Sequence, residues 1–252
     1  MLQVNHLYKS YQSGNVTYNV LKDVSFTIRK GEFVGIMGSS GSGKTTLLNC
    51  ISCFIPYEKG EILLNGTKIA ALDEEQMAEV RNEKLGFVFQ DFMLLDGLTI
   101  FENICLPKII KNAPYKKMES RAKKLLTMFG IREVGNKYPV EISGGQKQRT
   151  AVARALMNNP LLILADEPTG NLDSKSGAAV IGAFTEAKEE LGATICMVTH
   201  DSFSASYCDR VIVMKDGHIF KEMVRSSRPT AFHDELLLVL KELNGGVGNE
   251  LG

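Results

Sequence analysis

The sequence predicts an α/β fold built on a parallel sheet with a phosphate-binding loop. Three observations carry this expectation. Short apolar runs at 33–37, 85–89, 161–165 and 194–198 alternate with helical patterns, as in a parallel α/β core. The first run leads into Gly38-Ser39-Ser40-Gly41-Ser42-Gly43-Lys44-Thr45-Thr46, and an apolar helix start, Leu47-Leu48-Asn49-Cys50-Ile51, follows it. Polar groups stand after each run: the glycine loop, Gln90, Asp166-Glu167 and His200. Open α/β sheets bind ligands at the carboxyl ends of their strands, so these four features are expected to converge on one site.

The residue types of the loop follow from the chemistry of phosphate. A glycine-rich turn lets successive backbone N–H groups point into one anion-binding concavity. The helix start adds the positive end of its dipole. Lys44 supplies a point charge for β- and γ-phosphates, and the Thr45 hydroxyl can ligate Mg²⁺. A flexible linker of similar composition would not lie between two apolar segments, nor end in Lys-Thr-Thr.

Taken in order, residues 2–37 read as a β layer, with Val24, Phe26 and Ile28 alternating as in a half-exposed strand. Tyr11 lies in this layer; it could stack on an adenine ring or pack on the sheet. Asn65-Gly66 after an apolar run is a hairpin signal. Asp73 and Gln76 form a capping box, as do Thr99 and Glu102. Residues 99–158 become helical, with Pro107 and Pro114 bracketing a linker. Met118, Ala122, Leu125 and Phe129 recur at helical spacing, and Gly130 is a stop. Residues 143–146, Ser143-Gly144-Gly145-Gln146, open a helix over 147–158. Asp173 caps the next helix, where Val180, Phe184, Ala187 and Leu191 line one face. A hairpin turns at 215–217. Phe232, Leu236, Val239 and Leu243 then mark a tail helix, before Gly245-Gly246-Val247.

The totals exclude several classes. The chain has 252 residues, 44% hydrophobic and 23% charged, enough for one substantial core. Lys+Arg and Asp+Glu are both 29, so no long-range basic field for nucleic acid is present. The amino terminus lacks the pattern of a secretory signal, and no apolar run reaches membrane-span length, so a soluble or peripheral protein is expected. Five cysteines, an odd number, do not suggest a disulfide framework. Cys50 and Cys53 have redox-motif spacing, but no second pair completes a zinc site. They read as small apolar residues on a buried helix.

The strand-end groups suit nucleotide hydrolysis. Asp166 follows large apolar residues, as a Mg²⁺-organising carboxylate does in phosphate-loop NTPases. Glu167 is then placed to polarise a water that attacks the γ-phosphate. Gln90 can bridge Mg²⁺ and water, and His200 can hydrogen-bond the γ-phosphate or that water. Ser143 and Gln146 form a helix cap. Gly144 and Gly145 would let the backbone approach a second phosphate, which suggests a nucleotide shared by two chains.

Together these residues resemble an ABC-type ATPase subunit over about residues 2–223. The glycine loop matches the Walker A motif, Gln90 the Q-loop, and Ile142-Ser143-Gly144-Gly145-Gln146 the signature, with Ile for the usual Leu. Residues 161–167 match Walker B, Asn171-Leu172-Asp173 the D-loop, and His200 the switch histidine. Tyr11 falls where the family places its adenine-stacking aromatic. The resemblance implies a phosphate-loop (RecA-like) core with an N-terminal antiparallel β subdomain and a helical signature subdomain near 91–160. The ATPase domain would span 1–225 and a helical tail 226–252. It further implies ATP and Mg²⁺, and a head-to-tail dimer in which each nucleotide lies between Walker A of one copy and the signature of the other. A transmembrane permease partner follows, with residues 92–95 against its coupling helix, on the cytoplasmic face of the membrane.

Residues 165–174 are similar to the class serving lipoprotein release and macrolide efflux. Residues 143–150 and 197–208 narrow the similarity to bacterial peptide-antibiotic resistance transporters of the bacitracin and lantibiotic type. Cys50 to Glu58 departs from that pattern. A regulatory reading stands beside transport: ATP-driven dimerisation would control a cell-wall hydrolase or, through the permease, a sensor kinase.

Overall fold

Two sheets lie at the centre of the computed structural model, which describes residues 1–245. β1 (Leu2–Ser13) and β2 (Val16–Ile28) form an antiparallel hairpin, and β3 (Phe33–Gly38) runs into the glycine loop and α1 (Lys44–Ile51). β4 (Lys59–Leu64) and β5 (Thr67–Lys68) complete the first, antiparallel sheet, ordered β2-β1-β4-β5. α2 (Glu74–Glu79) starts at the Asp73/Gln76 capping box, and β6 (Leu85–Phe89) follows. Three helices come next: α3 (Ile100–Ile109), α4 (Tyr115–Met128) and α5 (Gly144–Ala155). Then follow β7 (Leu162–Asp166), α6 (Ser174–Leu191), β8 (Ile195–Val198) and α7 (Ser202–Ser206). β9 (Arg210–Lys215), β10 (His218–Val224) and α8 (Pro229–Gly245) end the described chain. The second sheet is ordered β10-β9-β3-β8-β7-β6, parallel except for β10.

The parallel strands of the second sheet are largely buried on both faces, which explains their continuous apolar runs. Its side chains divide with period two. Phe33, Met37, Ile163, Ala165, Ile195 and Met197 face a core shared with α3–α6 and α8. Val34, Ile36, Leu162, Leu164, Cys196 and Val198 face a core shared with α1 and the antiparallel sheet. A one-residue slip in any of these strands would exchange the two sets. The three strand ends beside α1 are therefore held in a fixed register, with Phe89 opposite Asp166 and Asp166 opposite Val198.

Four expectations change. Cys53 lies beyond α1, which ends at Ile51, and has a left-handed φ of 61°. Pro107 lies inside α3 rather than at the edge of a linker. The helix ends two residues later, so the missing N–H and the ring interrupt only its final turn. The start of α3 is held by the Thr99/Glu102 box and by buried Asn103, whose amide donates to the carbonyls of Leu95, Leu98 and Thr99. Pro114 does precede α4. α5 begins at the glycines themselves and ends at Ala155, not at residue 158. Leu191 is exposed at the end of α6, whereas Val180, Phe184 and Ala187 are buried as expected. The tail spacing forms α8 with Phe232, Leu236, Val239 and Leu243 all buried; Gly246 and Val247 lie outside the described residues.

Candidate functional site

The glycine loop joins β3 to α1 and forms most of a cavity of about 670 Å³. Gly43 caps α1 with φ 99°, a left-handed conformation that costs a side-chain residue energy. The first-turn amides of α1 have no acceptor within their own helix and face the loop concavity. Ser42 Oγ is buried and has no hydrogen-bond partner among the described residues. The buried Lys44 ammonium donates to the carbonyls of Gly38 and Ser39 at 2.8 and 2.9 Å. A lysine has three donors, so one remains for an anion. Burial lowers the Lys44 pKa, against the opposing charges of Glu167 and Asp166.

β7 and β8 deliver the acidic pair and the histidine to the same place. Burial raises the Asp166 pKa, as does the neighbouring Glu167, while Lys44 and the Thr45 hydroxyl oppose the rise. Asp166 Oδ1 is buried without a hydrogen-bond partner among the described residues. Glu167 has φ 47°. That left-handed turn costs on the order of 1 kcal/mol for a residue with a side chain. It separates the two carboxylates: Glu167, with His200, lines the loop cavity. His200 Nδ1 lies 2.9 Å from Glu167 Oε2.

Gln90 stands at the neighbouring strand end but does not line the loop cavity. Its amide donates to Asn171 Oδ1 at 2.9 Å, and Asn171 Nδ2 donates to Asp91 at 2.9 Å. The structure thus brings the glycine loop, Glu167 and His200 around one cavity, with Asp166 beside them and Gln90 held to Asn171. Tyr11 is 43% exposed on β1, opposite Tyr18, with the Lys9 ammonium 5.2 Å from its ring centre. The ring does not line the cavity. Val20 of β2 does, and nothing in the sequence singled it out.

Ser143, Gly144, Gly145 and Gln146 do not line the cavity either. The capping box is complete: Gln146 N donates to Ser143 Oγ, and Ser143 N donates to the Gln146 side chain. Gly145 has a packing reason of its own, because a Cβ there would stand 3.0 Å from Ser176 Cβ on α6. Sequence reasoning also missed two buried links. Gln148 of α5 reaches the carbonyls of Phe89 and Pro168. Arg154 of α5 holds the carbonyls of Phe92 and Met93.

This arrangement of an anion-binding loop, a lysine, a buried carboxylate and a paired carboxylate–histidine suits binding and hydrolysis of a nucleoside triphosphate. Comparison with known proteins agrees. Residues 21–170 match the ABC transporter family. The chain is 48% identical over 251 residues to the ABC transporter ATP-binding protein YxdL of Bacillus subtilis, covering 100% of this chain and 97% of that one. It is 46% identical over 252 residues to the bacitracin export ATP-binding protein BceA of Halalkalibacterium halodurans, covering 99% of each. Among solved structures it resembles the dimeric ATP-binding cassette MJ0796, bound to ADP and Pi in a post-hydrolysis state. The TM-score is 0.81 at 40% identity, covering 90% of this chain and 100% of that one. The chain belongs to the ABC transporter family, as an ABC-type ATPase with the phosphate-loop α/β fold.

Proposed function

We propose that this chain powers a membrane permease that protects a cell against peptide antibiotics, by export or by removal from the membrane. The observation that carries this reading is the 46% identity to BceA over 99% of both chains. No described helix is long and apolar enough to cross a membrane. In this reading the permease holds the chain at the cytoplasmic face.

In this reading Gly38, Ser39, Ser40, Gly41, Ser42, Gly43, Lys44, Thr45 and Thr46 bind the triphosphate, and Tyr11 stacks on the adenine. The orphaned buried oxygen of Asp166 and the Thr45 hydroxyl near that carboxyl are hard oxygen donors of the kind that Mg²⁺ takes, and they support this reading. Thr45, Asp166 and Gln90 would hold the ion, which when bound neutralises charge on the β- and γ-phosphates. Gln90 would do so through its amide oxygen, which its bond to Asn171 through Nε2 leaves free. Glu167 takes the proton of the attacking water, and His200 orients that carboxylate. Ser143, Gly144, Gly145 and Gln146 of a second copy cover the same nucleotide, because within one chain they stand outside the cavity. The exposed Met93 and Leu95 meet the permease.

The test is resistance in a host that expresses this chain with its permease. Wild type should raise tolerance to bacitracin or a lantibiotic, and Lys44→Ala should not. Equal tolerance with and without the pair would overturn the reading. Protection against macrolides alone would move it to macrolide-type efflux.

A further inference from the structure

Gln148 is the fifth residue of α5 and fully buried. Its Nε2 donates to the Phe89 carbonyl at 3.0 Å and to the Pro168 carbonyl at 2.8 Å. Phe89 immediately precedes Gln90, and Pro168 immediately follows Glu167. Both partners are carbonyl oxygens, which only accept. The amide group must therefore face them, since the flipped side chain would set its own oxygen against two others. Gln148 Oε1 is left buried with no partner among the described residues. An unsatisfied buried acceptor is destabilising. A methionine would fill similar space without that cost, but it would supply no donor.

The two anchored carbonyls sit at adjoining strand ends. Phe89 and Asp166 are register partners in β6 and β7. The turn at Glu167, with its left-handed φ, is fixed from three sides. Its N–H donates to Val198 at 2.9 Å, its carbonyl accepts from Gly170 at 3.0 Å, and Gln148 holds the next carbonyl. A strained residue keeps its conformation only when its surroundings over-determine it. The anchor is carried by the helix that Ser143 caps, about 7.5 Å along its axis from that cap.

We propose that Gln148 is a positioning residue for hydrolysis: it ties the helix begun by Ser143 to the backbone beside both Gln90 and Glu167. Movement of the α5 start then reaches both groups through one side chain. The inference rests on the roles proposed above for Gln90 and Glu167.

The experiment compares Gln148→Met and Gln148→Glu with wild type in kcat, KM, ATP affinity and backbone amide exchange. Gln148→Met should lower kcat by at least about tenfold, because small misplacements at a reacting centre are that costly. Its ATP affinity should hold, since the glycine loop is untouched. Exchange should quicken at both 88–91 and 166–170. Gln148→Glu, protonated when buried and keeping one donor, should fall between the two. If Gln148→Met fails to fold, the glutamate variant decides by the same measures. A wild-type kcat in the folded variant overturns the proposal. So does a parallel fall of kcat and ATP affinity with exchange altered only within α5. Glu167→Gln, assayed alongside, separates the two failures: if it too hydrolyses ATP normally, the site reading itself is wrong.

Discussion

His200 closes on Glu167 through a single oxygen. Glu167 Oε2 lies 2.9 Å from the ring Nδ1 and accepts from the His200 backbone N–H at 3.3 Å. The carboxylate is largely covered while the imidazole is 70% exposed, so the histidine spans from the acid to open solvent. Both residues also line a second cavity of about 580 Å³ with Thr169, Asp173 and Phe203, and so stand between the loop and that space.

Removing the ring should misorient the acid without touching the phosphate loop. His200→Ala is expected to bind ATP as wild type does and to lose about 10²-fold in turnover, the scale of one acid–base group. A steady-state assay beside an equilibrium titration checks this. Undiminished turnover would assign the orientation of Glu167 to its backbone alone.

Asp166 offers a test by pH. Burial first, and then Glu167, raise its folded pKa above the unfolded value. Its contribution to stability is thus fully present below the ordinary carboxylate pKa and is lost as pH rises through the folded one. At neutral pH the metal-free fold carries the cost of ionising it. Asp166→Asn should raise the melting temperature of the nucleotide-free protein at neutral pH, while Mg²⁺-dependent hydrolysis is lost. The gain should shrink as pH falls and vanish below about pH 3, where aspartate is protonated in the folded and the unfolded chain alike. A lower melting point at neutral pH would contradict this.

Much of the site was legible because its signals are local. A buried strand, a glycine turn and a capped helix are adjacent in sequence, and the strand-end rule placed Asp166, Glu167 and His200 beside the loop. Gln90 and Asn171 are 81 residues apart, and no periodicity predicts that their amides meet. Gln148 reads as an ordinary helix glutamine, because its burial depends on how α5 rolls against the sheet. Pro107 misled for a different reason: proline disfavours a helix interior, but the capping box and Asn103 hold the rest of α3 in place around it.

Cys50 and Cys53 should be dispensable for turnover. Both are buried, and burial pushes their thiols up to about 12 and about 11, so neither forms thiolate at neutral pH. Among the described residues no group of three His, Cys, Asp or Glu could hold a metal. Replacing both with alanine should cost about 1 kcal/mol each and leave hydrolysis in place. Stoichiometric zinc in wild type, absent from the double variant, would show otherwise.

The segment after Gln90 divides by exposure. Met93 and Leu95 are 56% and 49% exposed, whereas Leu94 packs against the core. Arg154 secures the turn through the Phe92 and Met93 carbonyls. Met93→Glu and Leu95→Glu should preserve ATP binding and abolish coupling to the permease, while Leu94→Glu should destabilise the fold. Pull-down with the permease and a resistance assay separate these effects; full transport by both exposed-site variants would place the contact elsewhere.

The shared-nucleotide site is tested most directly by trapping it. Glu167→Gln keeps Lys44, Thr45 and Asp166 but replaces the carboxylate proposed as the base with a poor proton acceptor. With Mg-ATP it should bind without hydrolysing and accumulate as a dimer, read by size-exclusion chromatography with light scattering. Adding Ser143→Arg, whose bulk would fill the space the proposal gives to the partner copy's γ-phosphate, should return it to monomer. Hydrolysis at the wild-type rate by Glu167→Gln, or an ATP-dependent dimer that Ser143→Arg leaves intact, would contradict the account.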